Sequence, residues 1–370
     1  MRVAIRADAS AMSGTGHVMR CLALAEALRN RDAEIMFICR ECPAHLGELI
    51  ASAGYQLARF GGFLSLRAHE KPGVKERDRA GASDRSRGPD MGWETDAERT
   101  AAILRESGDW DWLVVDHYGI DIRWESRLRS CANRLMAVDD LADRPHDVDS
   151  LLDPSPTAHI EDYRALIAPG CRLLLGPAHA LLRPEFAASR GAVERSFDTV
   201  LTAHLALGGA DPGQRTARVA RWLLDGVPDL RLRALVGATA EPSGMLAALG
   251  RDFAGRFHLE RAPAAVAPGM ALCDVALGAP GGTLWERFCV GLPSACFTTH
   301  PTQRPVIARL AAAGWLLDLG PVDERDAAAL ARVVAWLGDA AGLAAQRRRL
   351  MAAVDGLGAA RVAAIMEAWG

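Results

Sequence analysis

Short apolar runs rich in branched residues alternate along the chain with longer stretches of helical period, and this alternation constrains the fold more than any other feature. Parallel strands need long crossovers, and helices in those crossovers cover both faces of the sheet, so the pattern predicts α/β architecture. The first expected strand is Val3–Ile5. Val18, Leu22, Ala25 and Leu28 then share one face of a helix of about 14 residues starting near His17. Further strands are expected at Ile35–Cys39, Leu113–Val115, Leu135–Val138, Leu151–Leu152 and Leu173–Leu175, each bounded by Gly, Pro or Asp. A second series begins at Asp198–Leu201 and continues through Leu232–Val236, Asp274–Leu277 and Pro293–Phe297. With 370 residues there is room for two α/β domains, and the small and polar residues around position 190 mark the expected boundary between 1–190 and 191–370.

Charge and composition exclude several function classes. A formal net charge of -3 argues against a nucleic-acid binder steered by bulk charge. Charges in the first eight residues interrupt any signal-peptide core, and no run of about 18 apolar residues follows, so a soluble cytoplasmic protein without stable membrane association is expected. Eight cysteines in a chain this long are not a disulfide framework. Cys39 and Cys42 have CxxC spacing, but with no second pair and no histidine at zinc-ligand spacing they read as a strand-end structural pair, with a metal or redox role as the alternative. The segment from Arg67 to Trp93 is dense in charged, Gly, Ser and Pro residues and reads as a disordered surface insertion, or else as a lid or docking loop.

Three loops carry candidate chemistry. The first, from Arg6 to Cys21, leaves strand one and enters the first helix, where open α/β sheets bind ligands. Gly14 and Gly16 permit close backbone approach, and free amides at the helix start favour an anion. His17 stands at that helix start, where its protonated form is disfavoured; it is either a proton acceptor or a capping residue. The second loop, Gly208-Gly209-Ala210-Asp211-Pro212, follows the first strand of the second series. The third contains Gly281, Gly282, Thr283 and Glu286: its glycines suit a diphosphate and Glu286 suits the two hydroxyls of a ribose. The alternative is a glycine turn with a helix capped by Thr283. Gln303, in the next loop, meets the same ligand or is simply solvated.

In order along the chain, Arg6-Ala-Asp8-Ala-Ser, Gly14-x-Gly16-His17-Val-Met-Arg-Cys, Val115-Asp-His-Tyr-Gly-Ile-Asp121, Asp139-Asp-Leu-Ala-Asp-Arg-Pro-His146, Leu181-Leu-Arg183-Pro-Glu-Phe186, Gly208-Gly-Ala-Asp211-Pro and Gly282-Thr-Leu-Trp-Glu286-Arg resemble the UDP-2,4-diacetamido-2,4,6-trideoxy-β-L-altropyranose hydrolases of pseudaminic acid biosynthesis. The resemblance spans nearly the whole chain. It implies two Rossmann-like domains in the glycosyltransferase-B arrangement around a central cleft, and hydrolysis of a UDP-sugar at the anomeric C–O bond without cofactor or metal. It makes His17 the base for water and assigns UDP to Glu286 and the glycine loop, with Asp8, Gly14, Gly16, Gly208, Gly209, Asp211 and Gln303 also facing substrate. Helix-start amides and Arg183 would neutralise the leaving diphosphate.

The chain departs from the family pattern where the sugar should lie. Pro154-Ser155 follow Asp153 in place of the usual Gln-Asn, His179 replaces a tyrosine, Gln214 an asparagine, and Thr302 the asparagine before Gln303. Fewer side-chain amides imply a sugar with substituents other than two acetamido groups. Two alternatives accompany the hydrolase: a glycosyltransferase of the same architecture, for which the hydrophilic residues 60–95 argue against a lipid acceptor, and a silent nucleotide-sugar binding protein, which intact His17 and Glu286 disfavour.

Overall fold

The computed structural model describes residues 1–10, 14–60, 62–64, 92–191, 195–198, 201–238, 240 and 244–369. Two sheets result. The first contains β1 (Arg2–Ala7), β2 (Glu34–Cys39), β3 (Gln56–Arg59), β4 (Gly62–Leu64), β5 (Trp112–Asp116), β6 (Arg134–Val138), β7 (Ser150–Asp153) and β8 (Arg172–Leu175) in the order β4-β3-β2-β1-β5-β6-β7-β8. All neighbouring pairs are parallel except β3 with β4. The second, wholly parallel, contains β9 (Thr202–Ala206), β10 (Arg231–Val236), β11 (Phe257–Arg261), β12 (Val275–Gly278), β13 (Ser294–Thr298) and β14 (Leu317–Pro321) in the order β11-β10-β9-β12-β13-β14.

Strand alternation builds the core. Val3, Ile5 and Ala7 of β1 face one apolar layer with Val18, Leu24 and Leu28 of the first helix, Gly16–Arg29, while Ala4 faces the opposite layer with Leu104 and Trp124. The chain's end returns to this first layer. Val362, Ala363 and Met366 of the helix Gly358–Glu367 bury there, and Trp112 Nε1 donates to the Met366 carbonyl at 3.2 Å. Leu182 and Phe186, just before the expected boundary, bury with Leu284 and Phe288 of the second half. The polypeptide therefore crosses between the two layered bodies both near position 190 and at its C-terminal helix.

Of the expected strand Asp198–Leu201, 199 and 200 lie outside the described residues; the strand described here is Thr202–Ala206, which pairs with β10 and β12. Strands β3, β11 and β14 carry charged residues within short apolar runs, so periodicity did not mark them. Of the charged segment, 67–91 lie outside the described residues; Trp93 opens the helix Trp93–Glu106. Among the described residues, no single helix is long and apolar enough to cross a membrane.

Candidate active site

In an open parallel sheet, a crevice forms at the carboxyl ends of the two adjacent strands whose crossovers leave toward opposite sides. In the first sheet those strands are β1 and β5, and in the second β9 and β12. The first loop, containing Gly14, Gly16 and His17, follows β1, and Asp116 ends β5 directly across from Ala7. Gly208 and Gly209 follow β9, and Gly281 and Gly282 follow β12. The two crevices face each other. A Cβ built on Gly16 would stand 4.0 Å from the Gly282 amide nitrogen, and one built on Gly282 4.0 Å from the Gly16 Cα, so both backbones stay bare where the two halves meet.

His17 lies in the first turn of its helix and does not cap it: Thr15 is the N-cap, with no side-chain capping bond. Its Nδ1 instead meets Asp116 Oδ1 at 2.5 Å. Because the carboxylate accepts, Nδ1 carries the proton, and in the neutral ring Nε2 is left with its lone pair as an acceptor. Arg20, one helical turn on, grips the same carboxylate twice, Nε to Oδ2 at 2.6 Å and Nη2 to Oδ1 at 2.5 Å, and reaches Asp140 at 3.2 Å. Asp116 is fully buried; burial alone would raise its pKa, but Arg20 and then His17 hold it well below the ordinary carboxylate range. Tyr118 packs edge-on against the His17 ring, centroids 4.7 Å apart, with its hydroxyl 3.4 Å from Asp140.

Asp8 is near this centre, but its carboxylate is engaged with the scaffold. Fully buried Arg6 donates to it at 2.6 and 2.9 Å, and the Arg40 and Glu41 amides donate at 2.8 and 3.1 Å. Arg6 also pairs with Asp96, which accepts from Trp124 Nε1. Two strands beyond Asp116, Asp153 ends β7, accepting from the Ser155 amide at 2.8 Å and the Tyr163 hydroxyl at 2.9 Å. Burial, with the charges of Asp140 and Asp139 adding to it, pushes the Asp153 carboxyl up to about 7. His179 is half-buried and donates Nδ1–H to the Leu175 carbonyl at 3.1 Å.

On the second half, Glu286 lies one turn into the helix Thr283–Cys289, and Arg183 Nη2 stands 3.4 Å from its Oε1 while Nη1 meets Glu185 at 2.9 Å. Burial raises the Glu286 pKa and Arg183 opposes that shift. Gly282, not Thr283, is the N-cap, and no side chain caps the helix. Beneath the loop, buried Arg287 donates to the carbonyls of Ala279 and Ala206, holding the ends of β12 and β9 together. Gly208 has φ 109°, a conformation that favours glycine, and the Gly209 carbonyl accepts from the Gly237 amide at 2.9 Å. Asp211 is tied to the start of the following helix, its Oδ1 accepting from the amide and hydroxyl of Thr216. Gln303 Oε1 accepts from the Thr299 amide at 2.9 Å and the His300 amide at 3.2 Å, so its carbonyl braces the loop.

The structure thus brings Gly16 and Gly282 together, with His17 next to the first and the Arg183–Glu286 pair one helical turn from the second, while Asp8, Asp211 and the Gln303 carbonyl are bonded to the surrounding loops. Arg20, Asp116, Tyr118 and Asp140 belong to the site and were not singled out from sequence. For two of them the sequence offers a weak individual signal: Arg20 is three residues from His17 on the same helix, and Asp116 is a charge closing an apolar strand.

Two facing Rossmann-like domains with parallel sheets define a glycosyltransferase-B fold. Over nearly their full lengths, the chain superposes on MurG of Acinetobacter baumannii with a TM-score of 0.64 at 11% identity, covering 99% of each chain. It superposes on the calicheamicin glycosyltransferase CalG4 with a TM-score of 0.62 at 14% identity, covering 100% of this chain and 98% of that one. A Staphylococcus aureus MnaA–UDP structure gives 0.59 at 11% identity, covering 100% and 96%. In sequence, the chain is 23% identical over 245 residues to the UDP-2,4-diacetamido-2,4,6-trideoxy-β-L-altropyranose hydrolase of Campylobacter jejuni, a stretch that covers 66% of this chain and 72% of that protein. No family model matches the chain.

Proposed function

We propose that the chain is a nucleotide-sugar enzyme that hydrolyses a UDP-linked amino-deoxy sugar at the anomeric C–O bond, releasing UDP and a free sugar for a pseudaminic-type nonulosonic acid. The observation that carries this reading is the His17–Asp116 pair at 2.5 Å, set across a bare glycine contact from Glu286 and Arg183. In the proposed reaction His17 Nε2 takes a proton from water as the water oxygen bonds to the anomeric carbon. The bond from that carbon to the diphosphate oxygen breaks and its electron pair leaves with UDP. Asp116 fixes the imidazole and stabilises the cation it becomes. UDP is already a good leaving group, so positioning water and neutralising the diphosphate are the main demands; Arg183 and the amides at the start of the helix Gly16–Arg29 serve the second. Glu286 accepts from the ribose hydroxyls, and the departures at Pro154, Ser155 and His179 favour a sugar with substituents other than two acetamido groups.

The resemblance in fold to glycosyltransferases supports a second reading, in which a sugar hydroxyl takes the place of water. A panel of UDP-amino-sugars incubated in ¹⁸O-water without acceptor separates the two. Release of UDP with the label in the sugar supports hydrolysis by attack at carbon; label in UDP overturns that bond assignment. No UDP release until an acceptor alcohol is added overturns the hydrolase in favour of the transferase.

A further inference from the structure

The CxxC pair stands apart from the chemistry above. Cys39 is the last residue of β2 and fully buried, while Cys42 is half-buried in the loop that leads through Pro43 into the helix Ala44–Ser52. Both thiols are free, and the Cys42 Sγ–H donates to the Pro43 carbonyl at 3.8 Å. On the neighbouring strand Arg59 is in register with Cys39, and its positive charge favours the Cys42 thiolate. It lies over Gly47 of the helix, where a Cβ would overlap Arg59 Nη2, while Arg59 Nε is buried without a partner. The other charges facing the pair are Arg6 and Asp8.

We propose that Cys39 and Cys42 are a peroxide-responsive dithiol that closes to an intramolecular disulfide. Cys42 is the attacking sulfur: it is half-buried where Cys39 is fully buried, and Cys39 and then Arg59 draw its thiol below the ordinary value while the Cys39 thiol is driven upward. The Cys42 thiolate attacks one oxygen of hydrogen peroxide, the O–O bond breaks, and hydroxide leaves to give a sulfenic acid. Cys39 sulfur then attacks the Cys42 sulfur, its proton passes to the departing hydroxyl as water, and the S–S bond forms. The two thiols lose two electrons and peroxide becomes two waters. The residues between the cysteines tie this closure to the loop near His17: Arg40 and Glu41 donate their amides to Asp8, and the Ala9 amide donates to the Glu41 carbonyl at 2.9 Å.

Titration of the whole protein with equimolar hydrogen peroxide, followed by peptide mass mapping, tests this without any activity assay. The expected product has lost two hydrogens, confined to a Cys39–Cys42 linkage that dithiothreitol reverses, with altered hydrogen exchange at the amides of Ala9, Arg40 and Glu41. Cys39→Ser traps a sulfenic acid on Cys42 that a dione reagent labels, and Arg59→Met slows Cys42 alkylation at pH 7 by roughly tenfold. Should Cys42 alkylate no faster than half-exposed Cys131 and Cys171, or peroxide leave the pair reduced while oxidising another cysteine, the proposal fails.

Discussion

On the N-terminal side of the cleft, His17, Asp116, Arg20 and Asp140 are joined by contacts of 2.5–3.2 Å, and Asp116 is completely buried. On the C-terminal side, Arg183 and Glu286 meet at 3.4 Å with side chains 23% and 17% exposed, and a Cβ on Gly281 would meet nothing within 4 Å. The first arrangement fixes a proton acceptor before any ligand arrives, which suits a group whose work is done in the transition state. The second leaves polar groups and bare backbone to be completed by a ligand. Under the proposed function the contrast puts chemistry on the first half and affinity on the second, and it breaks if substitutions on the two sides change the same parameter.

The largest effect is expected at His17. His17→Asn removes the base while keeping a side chain able to bond Asp116, and turnover of the UDP-sugar should fall by roughly 100-fold or more with UDP affinity nearly unchanged. Near-normal turnover in single-turnover kinetics would remove His17 from the base's role. Glu286→Ala should show the reverse pattern. Loss of a bond from ribose to a charged acceptor weakens UDP binding by about 1.5–3 kcal/mol, and calorimetry showing unchanged affinity takes Glu286 out of the nucleotide site.

A third substitution sharpens the comparison through pH. The Asp153 carboxyl titrates near 7 in the fold, raised by burial and by the charges of Asp140 and Asp139, against about 4 when unfolded. A carboxyl raised in this way contributes its full stability below pH 4, and that contribution is lost as pH rises through the folded value. Asp153→Asn keeps an acceptor for the Ser155 amide but cannot ionise. Relative to the wild type, the variant should therefore gain stability between pH 5 and pH 7, on the order of 2 kcal/mol. Urea unfolding at the two pH values measures the difference, and parallel curves would show that Asp153 is ionised throughout.

The doubly layered fold was legible because β1, β2, β5, β6 and β7 are buried on both faces and so read as unbroken apolar runs. Strands β11 and β14 at the sheet edges, and β3 beside the short β4, carry too many polar residues for that signal. The glycine loops and His17 were legible because strand, glycines and helix follow one another locally. Asp116 and Arg20 acquire meaning only through tertiary contact: 99 and 96 residues separate the bonded partners, and no local pattern links them. Asp8 was marked by its motif as a ligand group, and its bonds from Arg6, Arg40 and Glu41 show what else the same carboxylate does, which only the folded chain reveals.

The smallest expected effect tests whether the bare contact between the two halves serves a ligand or merely packing. Gly16 opens its helix, and a methyl there would sit 4.0 Å from the Gly282 amide nitrogen, an ordinary van der Waals separation. Gly16→Ala therefore meets no clash in the fold, and alanine's lower backbone entropy in the unfolded chain leaves stability equal to or slightly above that of the wild type. If the diphosphate lies against these amides, the same methyl stands in its path and UDP affinity falls by roughly fivefold, about 1 kcal/mol. Thermal unfolding and UDP titration on one preparation give both numbers. An unchanged affinity would mean that the diphosphate does not approach Gly16, and the anion-binding role would then rest on Arg183 and the loop after β12; a large loss of stability would mean that the glycine serves packing between the two halves.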